Sequence, residues 1–102
     1  MSFSTIPAKN ISNYLGKNGT VIIDLREDSE YRKGHIPTAI NIPYNEFIQR
    51  KADMGIHNEI VLYCERGNLS LLASRQLSSQ GYRVISIYGG INAYRGELYK
   101  EK

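Results

Sequence analysis

Ile60-Val61-Leu62-Tyr63-Cys64-Glu65-Arg66-Gly67-Asn68-Leu69-Ser70 is the stretch on which the reading of this chain turns. Ile60 to Tyr63 is a compact β-branched and aromatic run of the kind found in strands buried on both faces. Gly67 marks a turn. From about Ser70 to Gln80 the spacing predicts a helix with Leu69, Leu72, Ala73 and Leu77 on one face, closed by Gly81 in a left-handed cap. The only cysteine therefore ends a strand and opens a loop that feeds a helix.

Outward from this segment the pattern repeats. Val21 to Leu25 and Val84 to Tyr88 read as further strands, and Ala39 to Ile42 as a shorter one ended by Pro43. A helix is expected just after Pro7, with Ala8, Ile11, Tyr14 and Leu15 at helical spacing and Gly16 and Gly19 at its end. Others are expected over Ser29 to Lys33, stopped by Gly34, and over Tyr44 to Lys51. Strands alternating with helices argue for an α/β layer structure whose mainly parallel sheet is covered on both faces. In such sheets ligands favour the crevice at the carboxyl ends of the strands, where Cys64 lies.

With 102 residues, the chain accommodates one domain, residues 1–102, around one core. Apolar residues at 41% and charged residues at 23% match a soluble globular protein and exclude a disordered one. No apolar run approaches the roughly 20 residues of a membrane span. The amino-terminal residues lack the basic start and apolar stretch of a secretory signal, so the expected address is cytoplasmic, with no membrane partner. The net charge of +3 is spread rather than gathered into a stripe, which argues against a nucleic-acid partner. One cysteine forms no internal disulfide, and with His35 and His57 at unrelated spacings it makes no zinc pattern, so no metal is expected.

The loop placement has chemical content. If the loop curls round the sulfur, successive N–H groups form an anion-binding nest, reinforced by the unpaired donors and positive dipole at the helix start. Such surroundings lower a cysteine's pKa from about 8.5 and favour the reactive thiolate without a histidine base. They would equally hold the outer sulfur of a persulfide or the oxyanion end of thiosulfate. A cysteine ending an apolar strand also fits a small buried hydrophobe. Lacking a second thiol, the chain must discharge any sulfur on Cys64 to an external partner.

Several separated segments together resemble the rhodanese-like family. They are Asp24-Leu25-Arg26, then Glu30-Tyr31, then Gly34-His35-Ile36-Pro37-Thr38-Ala39-Ile40-Asn41-Ile42-Pro43, the cysteine loop, Gly81-Tyr82, and Tyr88-Gly89-Gly90-Ile91-Asn92-Ala93-Tyr94. The resemblance implies a rhodanese-like three-layer domain with a five-stranded, mainly parallel sheet flanked by helices, and the cysteine on an active-site loop at its edge. It also implies sulfur transfer from thiosulfate or a protein persulfide to a thiol or cyanide acceptor through a Cys64 persulfide, with no cofactor. Cys64 is then the catalytic residue, and Glu65, Arg66, Gly67, Asn68, Leu69 and Ser70 are the substrate-binding loop. Many members carry arginine where Leu69 stands, so a loop cation is missing there. Tyr94 takes a place where tryptophan is frequent.

Other residues have two readings. Arg66 either attracts an anionic donor or is a solvated surface arginine, while Glu65 opposes negative charge on the sulfur. Asp24 and Arg26 follow a strand end near the same crevice, where a structural role is expected, with Arg26 pairing Glu30. His35 is expected to bond backbone rather than act as a base. Asn68 and Ser70 are expected to cap the helix. The Gly89-Gly90 pair reads as a turn with positive φ, not a nucleotide loop. A cysteine-dependent phosphatase requires an arginine after five intervening residues, and that position is Ser70. A protein-interaction or sulfur-relay module of the same fold remains the alternative to an enzyme.

Overall fold

The computed structural model describes residues 3–47, 49–50 and 59–101. Five parallel strands form one sheet: β1 (Ser4–Pro7), β2 (Thr20–Asp24), β3 (Ile40–Asn41), β4 (Glu59–Tyr63) and β5 (Val84–Tyr88), in the order β1-β5-β4-β2-β3. Helices α1 (Asp28–Lys33) and α2 (Asn68–Ser79) and 3-10 helices at Ala8–Tyr14, Tyr44–Glu46 and Ile91–Ala93 complete the described elements. This is the α/β arrangement that the alternation of strand and helix signals predicts.

The core is double, because parallel strands covered on both faces send alternate side chains to opposite sides. Strand β4 sends Ile60 and Leu62 to one side, where they meet Val21, Ile23 and Leu25, and Ala73 and Leu77 of α2. Val61 and Tyr63 point the other way, among Ala8, Ile11, Ile22, Ile36, Ala39, Ile85 and Ile87. By the same alternation the side chain of Cys64 falls on the α2 face.

Several expectations are corrected. The segment before Pro7 has no apolar run to mark a strand, yet Ser4–Pro7 pairs with Ser86 and its neighbours in β5, which supplies the ladder that composition does not announce. The turn after Pro7 is 3-10 rather than α-helical. Of the helix expected over Tyr44 to Lys51, Tyr44–Glu46 forms a 3-10 turn, while residues 48 and 51 lie outside the described residues. Helix α2 is rotated from the face that leucine spacing suggested: Leu69 and Leu72 are 36% and 45% exposed, whereas Ser70, Ala73, Ser74, Leu77 and Ser78 are buried. Small serine side chains let the helix lie close over β4 and β5, and burial follows fit rather than hydropathy alone. Gly81 does take a left-handed conformation, with φ of 95°, just beyond the helix.

The fully buried Leu77 anchors α2 to the sheet. Leu77→Ala is expected to lower unfolding free energy by about 2–5 kcal/mol, read as a reduced midpoint with unchanged slope in urea denaturation.

Candidate active site at the end of β4

Cys64 follows the last residue of β4, and the backbone holds it from two directions. The Cys64 carbonyl accepts the Ile91 N–H at 2.9 Å, and the Glu65 carbonyl accepts the Asn92 N–H at 3.1 Å. On the other side, the Gly67 N–H and the Ser70 N–H donate to Cys64 Sγ at 3.1 and 3.3 Å. The loop therefore curls round the sulfur as the nest argument expects. Both amides belong to the start of α2, where unpaired donors and the helix dipole favour negative charge. Cys64 exposes only 1% of its surface, so the loop closes over the residue rather than presenting it openly.

Two glycines make this geometry possible. Gly67, the residue preceding α2, has φ of 106°, and a Cβ there would stand 3.0 Å from the Gly89 nitrogen. Gly90 has φ of 58°, and its Cβ would meet the Cys64 and Glu65 carbonyl oxygens at 2.5 Å. The Gly89-Gly90 turn thus has the positive φ expected of it, and its role is to let the turn after β5 lie against the cysteine loop.

The remaining loop residues divide by exposure. Glu65, Arg66, Asn68 and Leu69 are exposed, and Gly67 is partly buried. Arg66 forms no ion pair among the described residues. Neither Asn68 nor Ser70 caps α2 through its side chain. The cap position falls to Gly67, because the chain must turn left-handed there to bring its N–H onto the sulfur. Ser70 instead donates its hydroxyl to the Gly67 carbonyl at 3.0 Å and lies 2.9 Å from the Ser86 hydroxyl. Ser86 escaped the sequence reading; its signal is a lone polar residue inside the apolar run of β5.

Asp24, Arg26 and His35 brace the neighbouring strands. Asp24 is fully buried and pairs in β2 register with Tyr63, the residue before Cys64. Its carboxylate accepts Arg26 Nη2 at 2.8 Å, Arg26 Nε at 3.1 Å and the Arg26 backbone N–H at 2.8 Å. Arg26 also donates to the Gly34 carbonyl. The expected Arg26–Glu30 pair does not form: the closer carboxylate of Asp24 offers bidentate geometry, and Glu30 faces Lys33. Burial works against the Arg26 cation, but the Asp24 hydrogen bond and charge outweigh it and hold the guanidinium above its usual range. His35 donates Nδ1–H to the Tyr31 carbonyl at 2.9 Å and stacks on the Tyr31 ring at 3.7 Å, consistent with bonding to backbone.

Tyr63 couples the brace to the cysteine strand. Its hydroxyl accepts the Ile36 N–H at 3.0 Å, and burial, followed by the Asp24 charge and hydrogen bond, pushes its ionisation far upward. Above pH 10 the unfolded chain loses this proton while the native state keeps it, so stability falls as pH rises. In Tyr63→Phe the alkaline slope of unfolding free energy above pH 10 is expected to be shallower than in the wild type, measured by urea denaturation at stepped pH. Gly90→Ala is expected to cost about 1–3 kcal/mol by the same method, because its Cβ meets backbone that cannot move aside.

A half-open cleft of about 260 Å3, lined by Phe3, Ser4, Glu59, Tyr82, Arg83 and others, lies at the amino ends of the strands, away from Cys64. The carboxyl-end site stands on the hydrogen-bond geometry around Cys64 Sγ.

Comparison with known proteins agrees with this architecture. A sulfurtransferase of Allochromatium vinosum is 32% identical over 91 residues, covering 87% of this chain and 85% of that protein. The thiosulfate:glutathione sulfurtransferase of Saccharomyces cerevisiae is 31% identical, covering 81% of this chain and 78% of that protein. A tRNA sulfurtransferase of Desulfurococcus amylolyticus is 31% identical across 98% of this chain, which spans only 21% of that longer protein. The crystal structure of a rhodanese-like domain protein from Staphylococcus aureus superposes with a TM-score of 0.81 at 24% identity, covering 98% of this chain and 100% of that one. The family model for the rhodanese-like domain matches residues 7–97. With that match over most of its length, the chain belongs to the rhodanese-like domain family.

Proposed function

We propose that the protein is a sulfurtransferase that moves a sulfane sulfur from thiosulfate or a persulfide donor to a thiophilic acceptor through a persulfide on Cys64. The observation that carries this reading is the pair of N–H groups, from Gly67 and Ser70, aimed at Cys64 Sγ. Two N–H donors converging on one sulfur are the arrangement that a transferred sulfur's negative charge calls for, and no neighbouring base is part of this reading. The sulfurtransferase names of relatives at about a third identity support the same reaction class.

In the first half-reaction the Cys64 thiolate attacks the outer sulfur of thiosulfate. The sulfur–sulfur bond of the donor breaks, sulfite leaves with its electron pair, and Cys64 carries an anionic persulfide. In the second, cyanide or a thiolate attacks the outer sulfur, the persulfide bond breaks, and the Cys64 thiolate returns. No net oxidant or reductant is required. Gly67, Ser70 and the intervening amides accommodate the transferred sulfur, while Glu65, Arg66, Asn68 and Leu69 form the rim that a donor meets. Arg66 supplies positive charge to that rim and Glu65 cancels it. A reducing, cytoplasmic setting belongs to the same reading, because a lone thiol must meet reduced acceptors between cycles.

The alternative is a sulfur-relay module that exchanges persulfide only with a protein partner. It is favoured by the 36% exposed Leu69 at the rim, which gives a small dianion nothing to pair with.

Incubation with thiosulfate is expected to add one sulfur atom to the intact protein by mass spectrometry, and added cyanide to release thiocyanate. Cys64→Ser is expected to abolish both. Equal behaviour of the two proteins overturns the enzymatic reading, and loading from a protein persulfide alone, with none from thiosulfate, selects the relay.

A further inference from the structure

The hydroxyl of Ser70 takes no part in the half-reactions above, yet it stands at a junction. Ser70 is fully buried, and its N–H is one of the donors on Cys64 Sγ. Its hydroxyl proton goes to the Gly67 carbonyl at 3.0 Å, the carbonyl of the residue that supplies the other donor. A hydroxyl has one proton to give. With that proton committed to Gly67, the contact of 2.9 Å between the Ser70 and Ser86 hydroxyls must run from Ser86 to Ser70.

Ser86 is 1% exposed and sits in the middle of β5, in register with Leu62 of β4 and Thr5 of β1. It therefore ties the loop to a strand that is paired on both sides rather than to another loop. We propose that Ser86 is a positioning residue for the sulfur site, its hydroxyl fixing the Ser70–Gly67 clamp that aims both N–H groups at Cys64 Sγ. The proposal rests on Cys64 being the reactive group, as in the function proposed above.

Ser74 provides an internal control. It is buried on the same helix, one turn beyond Ser70, and its hydroxyl is unpartnered. Removing that oxygen deletes the same atom from the same helix face without touching the clamp.

The test reads the rate of Cys64 alkylation by iodoacetamide in the purified protein, with sulfur loading from thiosulfate measured in parallel. Ser86→Ala is expected to slow alkylation on the order of 10-fold, short of the roughly 10²-fold that a full ångström of misplacement costs. Ser74→Ala is expected to react as the wild type does. In a Ser70→Ala background, Ser86→Ala is expected to add nothing, because the clamp is already gone. Should Ser86→Ala fail to fold, Ser86→Thr and Ser86→Val, matched in shape, decide the matter: the threonine variant is expected to react faster. Wild-type or faster reactivity in Ser86→Ala, equal slowing by Ser74→Ala, additive effects with Ser70→Ala, or equal rates for the threonine and valine variants each overturn the proposal. Alkylation needs no sulfur donor, so slowing in Ser86→Ala beside a wild type that loads sulfur from neither thiosulfate nor a protein persulfide supports the positioning role while refuting the sulfurtransferase reading.

Discussion

One residue accepts hydrogen bonds from two different parts of the chain, and most of the local architecture follows from that. The carbonyl of Cys64 accepts an N–H hydrogen bond from the turn after β5, while its sulfur accepts two from the start of α2. For both to hold, the turn and the helix start must press against the same loop, and a side chain at either approach would intrude. Hence the left-handed backbone at Gly67 and Gly90, and the close passage of Gly67 past Gly89. A loop satisfied in this way leaves little freedom to its backbone, which is what a preorganised anion site needs.

The frame behind the loop is polar as well as apolar. Asp24 and Arg26 form a buried pair whose cost in desolvation is offset by three N–H donors of Arg26 on one carboxylate and a hydrogen bond to the Gly34 carbonyl. Asn41 adds donations to the carbonyls of Asp24 and Arg26. These contacts tie the ends of β2 and β3 to the turn before His35, and Tyr63 extends the network to the strand carrying the cysteine. The crevice at the carboxyl ends of the strands is thus backed by hydrogen-bonded groups of β2, β3 and β4.

Much of this was legible in the residues. The apolar runs of β2, β4 and β5 and the glycine after Cys64 announce a strand, loop and helix with the thiol at the strand end, because burial on both faces leaves no other use for such runs. His35 is legible as a backbone-bonded residue from its place beside a proline turn. Other features depend on partners far apart in the chain. Ser4–Pro7 is a strand only because β5 offers an edge. Arg26 finds Asp24 rather than Glu30 because both leave the same strand end. The rotation of α2 is set by Ser70, whose amide must reach the sulfur, and leucine spacing cannot report that demand. Ser86 gains its meaning only when β5 is laid beside α2.

The alternation of side chains along β4 carries a consequence for how this chain can vary. Ile60, Leu62 and Cys64 share a face, and that parity brings the sulfur beneath α2. Inserting or deleting a single residue between Ile60 and Cys64 would turn the thiol to the opposite layer, toward Ile11 and Ile36, and expose the neighbouring hydrophobes to the wrong core. Changes of sequence length are therefore tolerated before β4 or after α2 far more readily than within the strand. Loop chemistry can diversify here while the strand that delivers the thiol stays locked in phase.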